Sequence, residues 1–153
     1  MFVLIVGSGR VGSTVAKRMI ESGHDVSVLD ESPEAHARLD HGSEETWEEL
    51  GGRFTVGTAL EVDALLEAGI EQADVVICST DGDNTNIVVA QIAQKRFHVP
   101  KVLARVLDPY RADWYREQGL ETVCPTQSAI EMLTERATAR PLGGGDPLME
   151  ETR

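Results

Sequence analysis

Short apolar runs alternate with helix-period stretches along most of the chain. Phe2-Val-Leu-Ile-Val6 is apolar at every position. Strands of a parallel sheet covered on both faces read this way, because neither face meets water. Val11, Val15 and Met19 then recur at i, i+4 and i+8, the stripe of an amphipathic helix. Gly23 stops that helix, and residues 26–29 resume a strand. The cycle repeats with strands at 54–56, 75–78, 102–104 and 122–124. Helices are predicted at 62–68, 84–97, 109–118 and 127–139, the last with Ile130, Leu133 and Ala137 on one stripe.

Strands alternating with helices imply βαβ crossovers. The expected fold is a Rossmann-like, doubly wound α/β domain: a six-stranded, mostly parallel sheet with helices on both faces. Two segments fall outside the cycle. Residues 41–53 (HGSEETWEELGGR) are expected to add a short acidic helix before the third strand. The domain is expected over 1–139, with a disordered Gly- and Pro-rich tail over 140–153.

The first strand-to-helix turn carries the most telling chemistry. Gly7-Ser8-Gly9-Arg10-Val11-Gly12 fits G-x-G-x-x-G, and its place between a strand and a helix is the context that gives the pattern meaning. Gly7 permits the tight turn, Gly9 lets a pyrophosphate approach the backbone, and Gly12 allows close helix–strand packing. The helix N-terminus offers unpaired N–H groups to an anion. Arg10 either reaches phosphate oxygens bidentately or faces solvent. Asp30 follows Gly9 by 21 residues and ends the second strand. It either accepts hydrogen bonds from the ribose diol of an adenosine, repelling a 2′-phosphate and so disfavouring NADP, or caps the helix that begins near Ser32-Pro33. Thr80 follows the fourth strand at the sheet edge where such folds bind ligands; Asp81 or Asp83 is expected to cap the next helix. Arg105, ending the fifth strand, either lines the same edge or forms a structural salt bridge.

Composition narrows the classes. The 153 residues carry 14 Lys+Arg against 26 Asp+Glu, a formal charge of −12, which argues against a nucleic-acid footprint. No apolar run approaches the ~20 residues of a membrane span, and the first strand starts too soon after Met1 to leave room for a signal peptide. Cys78 and Cys124 read as buried apolar residues. Histidines 24, 36, 41 and 98 are scattered without metal spacing. Tyr110 and Tyr115 lack the lysine four residues on that short-chain dehydrogenases use; Trp114 and Gly119 stand there instead. A binding module is favoured over an enzyme.

Several linked elements resemble one family. They are the glycine loop, Val28-Leu-Asp30, the run LLEAGIEQAD over 65–74, Thr80-x-x-Asp83-x-x-Asn86-Ile87, and Ala104-Arg105-Val106. Together they resemble the N-terminal nucleotide-binding (RCK or KTN, TrkA-N) domain of the Trk potassium-uptake regulatory proteins. The resemblance implies a cytoplasmic subunit, peripheral at the inner face of the membrane, that binds NAD(H) or ATP/ADP and gates an integral-membrane potassium transporter or channel. It places Gly7, Ser8, Gly9, Arg10, Val11 and Gly12 at the phosphates, Asp30 at the ribose, and Thr58, Thr80 and Arg105 around the rest of the pocket. Gly57-Thr58-Ala59 departs from the family's usual Gly-Asp-Ala. A homodimer or ring is implied, with the last helix either crossing to a neighbour or packing within its own chain. The family's C-terminal ligand-binding domain has no counterpart here, so a stand-alone form, or one completed by a second RCK-type chain, is expected. The rival expectation is a small NAD-dependent oxidoreductase or a redox sensor completed by an oligomeric partner.

Overall fold

The computed structural model describes residues 1–141, so the expected tail lies, after its first two residues, outside the described residues. The strands are β1 (Phe2–Val6), β2 (Asp25–Asp30), β3 (Arg53–Val56), β4 (Val75–Cys78), β5 (Lys101–Arg105) and β6 (Glu121–Val123). They form one sheet in the order β3-β2-β1-β4-β5-β6. Every pairing is parallel, which sharpens the expectation of a mostly parallel sheet. The order reverses between β1 and β4, and in doubly wound sheets that switch point opens a crevice beyond the strand ends.

The helices are α1 (Arg10–Glu21), α2 (Ala37–Asp40, continuing a 3-10 turn over Pro33–His36), α3 (Val62–Glu67), α4 (Asp83–Lys95), α5 (Pro109–Glu117) and α6 (Pro125–Thr138). Alternating residues of the sheet feed two cores. Val3, Ile5, Val26 and Val28 pack with Ala16 of α1 and Leu39 of α2 on one face. Leu4, Val6, Leu29 and Val76 pack with Leu65 of α3, Ala90 of α4 and Ala112 of α5 on the other.

Two local expectations need correction. Residues 41–52 form turns rather than an acidic helix. Gly42 and Gly51 take φ of 83° and 88°, which breaks helical continuity. Trp47 dives from this loop into the α1-side core, fully buried, with its indole N–H donating to the Arg53 carbonyl at 3.0 Å. Secondly, α6 begins at Pro125, because the Cys124 thiol accepts from the Gln127 N–H at 3.4 Å and so caps the helix rather than acting only as an apolar filler. In addition, His36 ties α2 to the Trp47 loop: its two ring nitrogens meet Asp40 at 3.3 Å and Glu48 at 2.7 Å.

Candidate functional site

The carboxyl ends of β1, β2, β3, β4 and β5 surround a cleft of about 560 Å³. The sequence sends residues to it from each of these strand ends, because β-to-α turns exit at that edge. Gly7, Gly9, Arg10, Val11, Asp30, Thr58, Thr80 and Arg105 line it together. Ser8 and Gly12 do not; they stand behind the lining and shape it.

Gly7 adopts φ +98°, and a Cβ there would lie 2.6 Å from the Thr80 nitrogen. Gly12 faces the Gly7 carbonyl so closely that a Cβ would sit 1.8 Å from its oxygen. These two glycines let α1 and the β4 exit close onto the turn. At Gly9 a Cβ would meet nothing within 4 Å. Its missing side chain therefore leaves space on the cleft side for a ligand's phosphates to reach the backbone at the start of α1, so the loop fits the group expected there.

Asp30 is held from both sides. One carboxylate oxygen accepts the Ser8 N–H at 2.7 Å and the other the Ser32 N–H at 2.9 Å. It thus braces the glycine loop against the start of the next helical turn, and each oxygen keeps a lone pair for a hydroxyl. The Ser32 hydroxyl bonds Glu34 instead of capping that turn. Ser32, not Asp30, takes the cap position of that turn, and the Asp30 carboxylate supports the turn through the Ser32 N–H while it lines the cleft.

Across the switch point, Asn86 organises Thr80 and Arg105. It is fully buried in the first turn of α4. Its carbonyl oxygen accepts from the Thr80 N–H at 2.9 Å and hydroxyl at 2.7 Å, while its amide donates to the carbonyls of Thr80 at 3.0 Å and Arg105 at 2.9 Å. The Arg105 guanidinium donates to the Thr80 carbonyl at 2.6 Å, and its Nε–H is buried with no partner among the described residues. Arg105 makes no salt bridge among the described residues; it lines the cleft edge while its guanidinium also ties down the Thr80 carbonyl. Asp83 does not cap α4 with its side chain, and neither does Asp81: Gly82 occupies the cap position, while the Asp83 carboxylate reaches across to the N–H groups of Leu107 and Asp108 at 2.8 and 3.1 Å.

Arg38, not anticipated from the sequence, also lines the cleft, reaching from α2 to the Ser8 carbonyl at 3.3 Å. Nothing local marks it, since it becomes a site residue only when α2 folds back over the loop. Cys78 lies beneath the floor, where complete burial pushes its thiol up to about 12. It is therefore a packing group, not a nucleophile, near neutral pH.

The TrkA-N domain family model matches residues 3–126. The Trk system potassium uptake protein TrkA of Streptomyces coelicolor is 36% identical over 151 residues, covering 99% of this chain and 63% of that protein. The chain therefore spans somewhat under two thirds of that curated relative. Among solved structures, the Shewanella denitrificans Kef CTD in AMP-bound form is 26% identical with a TM-score of 0.70, covering 90% of this chain and 80% of that one. The GsuK channel bound to NAD has a TM-score of 0.69 at 20% identity over 88% of this chain and 22% of that one, a likeness of fold.

Proposed function

This chain belongs to the TrkA-N domain family, and from that premise we propose that it is a nucleotide-binding regulatory domain of a potassium-uptake system. The observation that carries the proposal is the cleft at the sheet's switch point, where the glycine loop, Asp30, Thr80 and Arg105 converge on one space. The ligand is an adenosine nucleotide, NAD(H) or ATP/ADP. Its phosphates lie on the Gly7–Gly12 turn near Arg10, its ribose diol reaches Asp30, and Thr58, Thr80 and Arg105 meet the remainder. Asp30 disfavours a 2′-phosphate, so NADP is the poor ligand. The AMP-bound form of the Kef CTD supports an adenosine ligand for a cleft of this fold.

The role is regulatory, not catalytic. Nucleotides bind two arrangements of an assembly with different affinity, and that difference shifts the assembly and the integral-membrane potassium transporter or channel attached to it. Helix α6 supports assembly: none of its residues is buried, and Ile130 and Leu133 are 50% and 69% exposed. In a homodimer or ring that stripe packs on a neighbouring copy. The site of action is cytoplasmic, at the inner membrane face.

A thermal-shift panel of NAD, NADH, NADP, ATP and ADP on the purified chain tests the proposal. A ligand at 100 times its dissociation constant stabilises by about 2.7 kcal/mol, roughly 5–11 °C for a domain of this size. A shift with NAD(H) or ATP/ADP that NADP fails to match is expected. No shift with any nucleotide would refute the ligand assignment, and failure to co-purify with a membrane transporter would refute the partner.

A further inference from the structure

A second hollow opens beside the nucleotide cleft, on the outer side of α1. Arg10, Thr14 and Lys17 stand at i, i+4 and i+7 on one helix face, and Arg38 and His41 come to meet them from α2 and the residue after it. With Ser13 these residues line a shallow cleft of about 240 Å³. No carboxylate is among them, although the chain as a whole carries a formal charge of −12.

The cations are held by neutral groups. Lys17 Nζ donates to the His41 carbonyl at 2.7 Å and the Arg38 guanidinium to the Ser8 carbonyl at 3.3 Å. Neither of these residues, nor Arg10, enters an ion pair among the described residues. Three like charges thus line one hollow without an ion-pair partner among the described residues, an arrangement that a bound anion favours. Lys17 keeps two further N–H donors and Arg38 four. The Ser13 and Thr14 hydroxyls donate to the carbonyls of Gly9 and Arg10 at 2.7 and 2.8 Å, so free donation comes from the cationic groups.

We infer that this hollow is a phosphate-binding subsite beside the glycine loop, with which it shares Arg10. Two guanidinium forks and an ammonium from two elements line one hollow, a donor set that suits a tetrahedral dianion with oxygens on every side better than a flat monoanionic carboxylate. Arg10 and Arg38 are shared with the nucleotide cleft, whereas Lys17 and His41 belong to this hollow alone. The phosphate comes either as the free inorganic ion or as a distal phosphate of a nucleotide in the neighbouring cleft.

The test is titration of the isotopically labelled full chain with inorganic phosphate, followed by amide chemical shifts, with ionic strength held constant by exchange against sodium chloride. Saturable shifts at Thr14, Lys17 and His41 are expected with phosphate. Lys17→Gln retains a donor for the His41 carbonyl but removes the charge, and is expected to weaken phosphate at least tenfold; Lys17→Arg restores it. Equal shifts with chloride alone, or equal phosphate affinity in Lys17→Gln, would overturn the inference. An ADP arm separates the sources. ADP affinity that falls with Lys17→Gln assigns the subsite to the nucleotide's distal phosphate; unchanged affinity, with ADP and phosphate bound together, assigns it to the free ion. Phosphate binding without any ADP binding would sustain this subsite while refuting the nucleotide reading.

Discussion

Gly12→Ala tests whether the glycine loop owes its shape to packing as well as to ligand contact. The added Cβ would lie 1.8 Å from the Gly7 oxygen and 2.8 Å from the Ser79 hydroxyl, where ordinary contact begins at 3.4 Å. The nearer obstacle is backbone, and the Gly7 carbonyl is also fixed by the Ser79 hydroxyl at 3.1 Å, so the turn cannot yield without breaking that bond. Overpacking typically costs about 1–3 kcal/mol, and a backbone obstacle this near puts it at the upper end, about 3 kcal/mol. Opposing it, alanine inside α1 is favoured over glycine by about 1 kcal/mol. The clash wins, and a net loss of about 2 kcal/mol corresponds to roughly 4–8 °C in Tm. Gly9→Ala is the matched control. Its Cβ meets nothing and its φ is −74°, so only the helix-cap preference is lost, about 1 kcal/mol or less. Denaturant and thermal unfolding of both variants, alongside nucleotide titration, give the readout. Gly12→Ala should lose stability, while Gly9→Ala should stay near wild type yet bind nucleotide poorly. A Gly12→Ala protein as stable as wild type would refute the packing argument.

Other perturbations probe separate parts of the same edge. Asn86→Ala strands the Thr80 N–H and the Arg105 carbonyl in a buried setting; a loss of about 3 kcal/mol is expected in urea unfolding, and a loss under 1 kcal/mol would contradict the hub role. Asp30→Asn turns one acceptor oxygen into a donor facing the Ser8 or Ser32 N–H. It should cost about 2 kcal/mol in denaturation and narrow the gap between NAD and NADP in calorimetric titration, and an unchanged gap would remove Asp30 from the ribose. Cys78, with its thiol pushed up to about 12 by burial, ionises only after unfolding, where a thiol titrates near about 8.5. The unfolded chain then binds fewer protons between those limits, so stability falls as pH rises through that window. The alkaline slope should be flatter in Cys78→Ala by up to about 1.4 kcal/mol per pH unit; identical slopes would mean that the thiol is not sequestered.

Periodicity and turn chemistry, read along the chain, determined the alternation of strands and helices, the parallel sheet, and the site's nucleus at Gly7–Gly12 and Asp30. These features are local: a strand buried on both faces needs an apolar run, and a tight turn onto a helix needs glycine, whatever lies elsewhere. Only the tertiary structure decided what depends on distant segments meeting. Trp47 sits in an acidic stretch that reads as a surface helix, and its role as a core anchor exists only because the α1-side core has room for it. Asp83 resembles a helix cap until β5 brings Leu107 and Asp108 to it across 24 and 25 residues. Arg38 carries no motif, and becomes part of the cleft when α2 folds back over the glycine loop. Likewise, the imidazole of His36 is claimed by Glu48 from a separate loop. A hydrogen bond between groups far apart in the chain leaves no periodic trace in it, because either partner alone is an ordinary polar residue; the crossovers of the folded sheet give the pair its geometry.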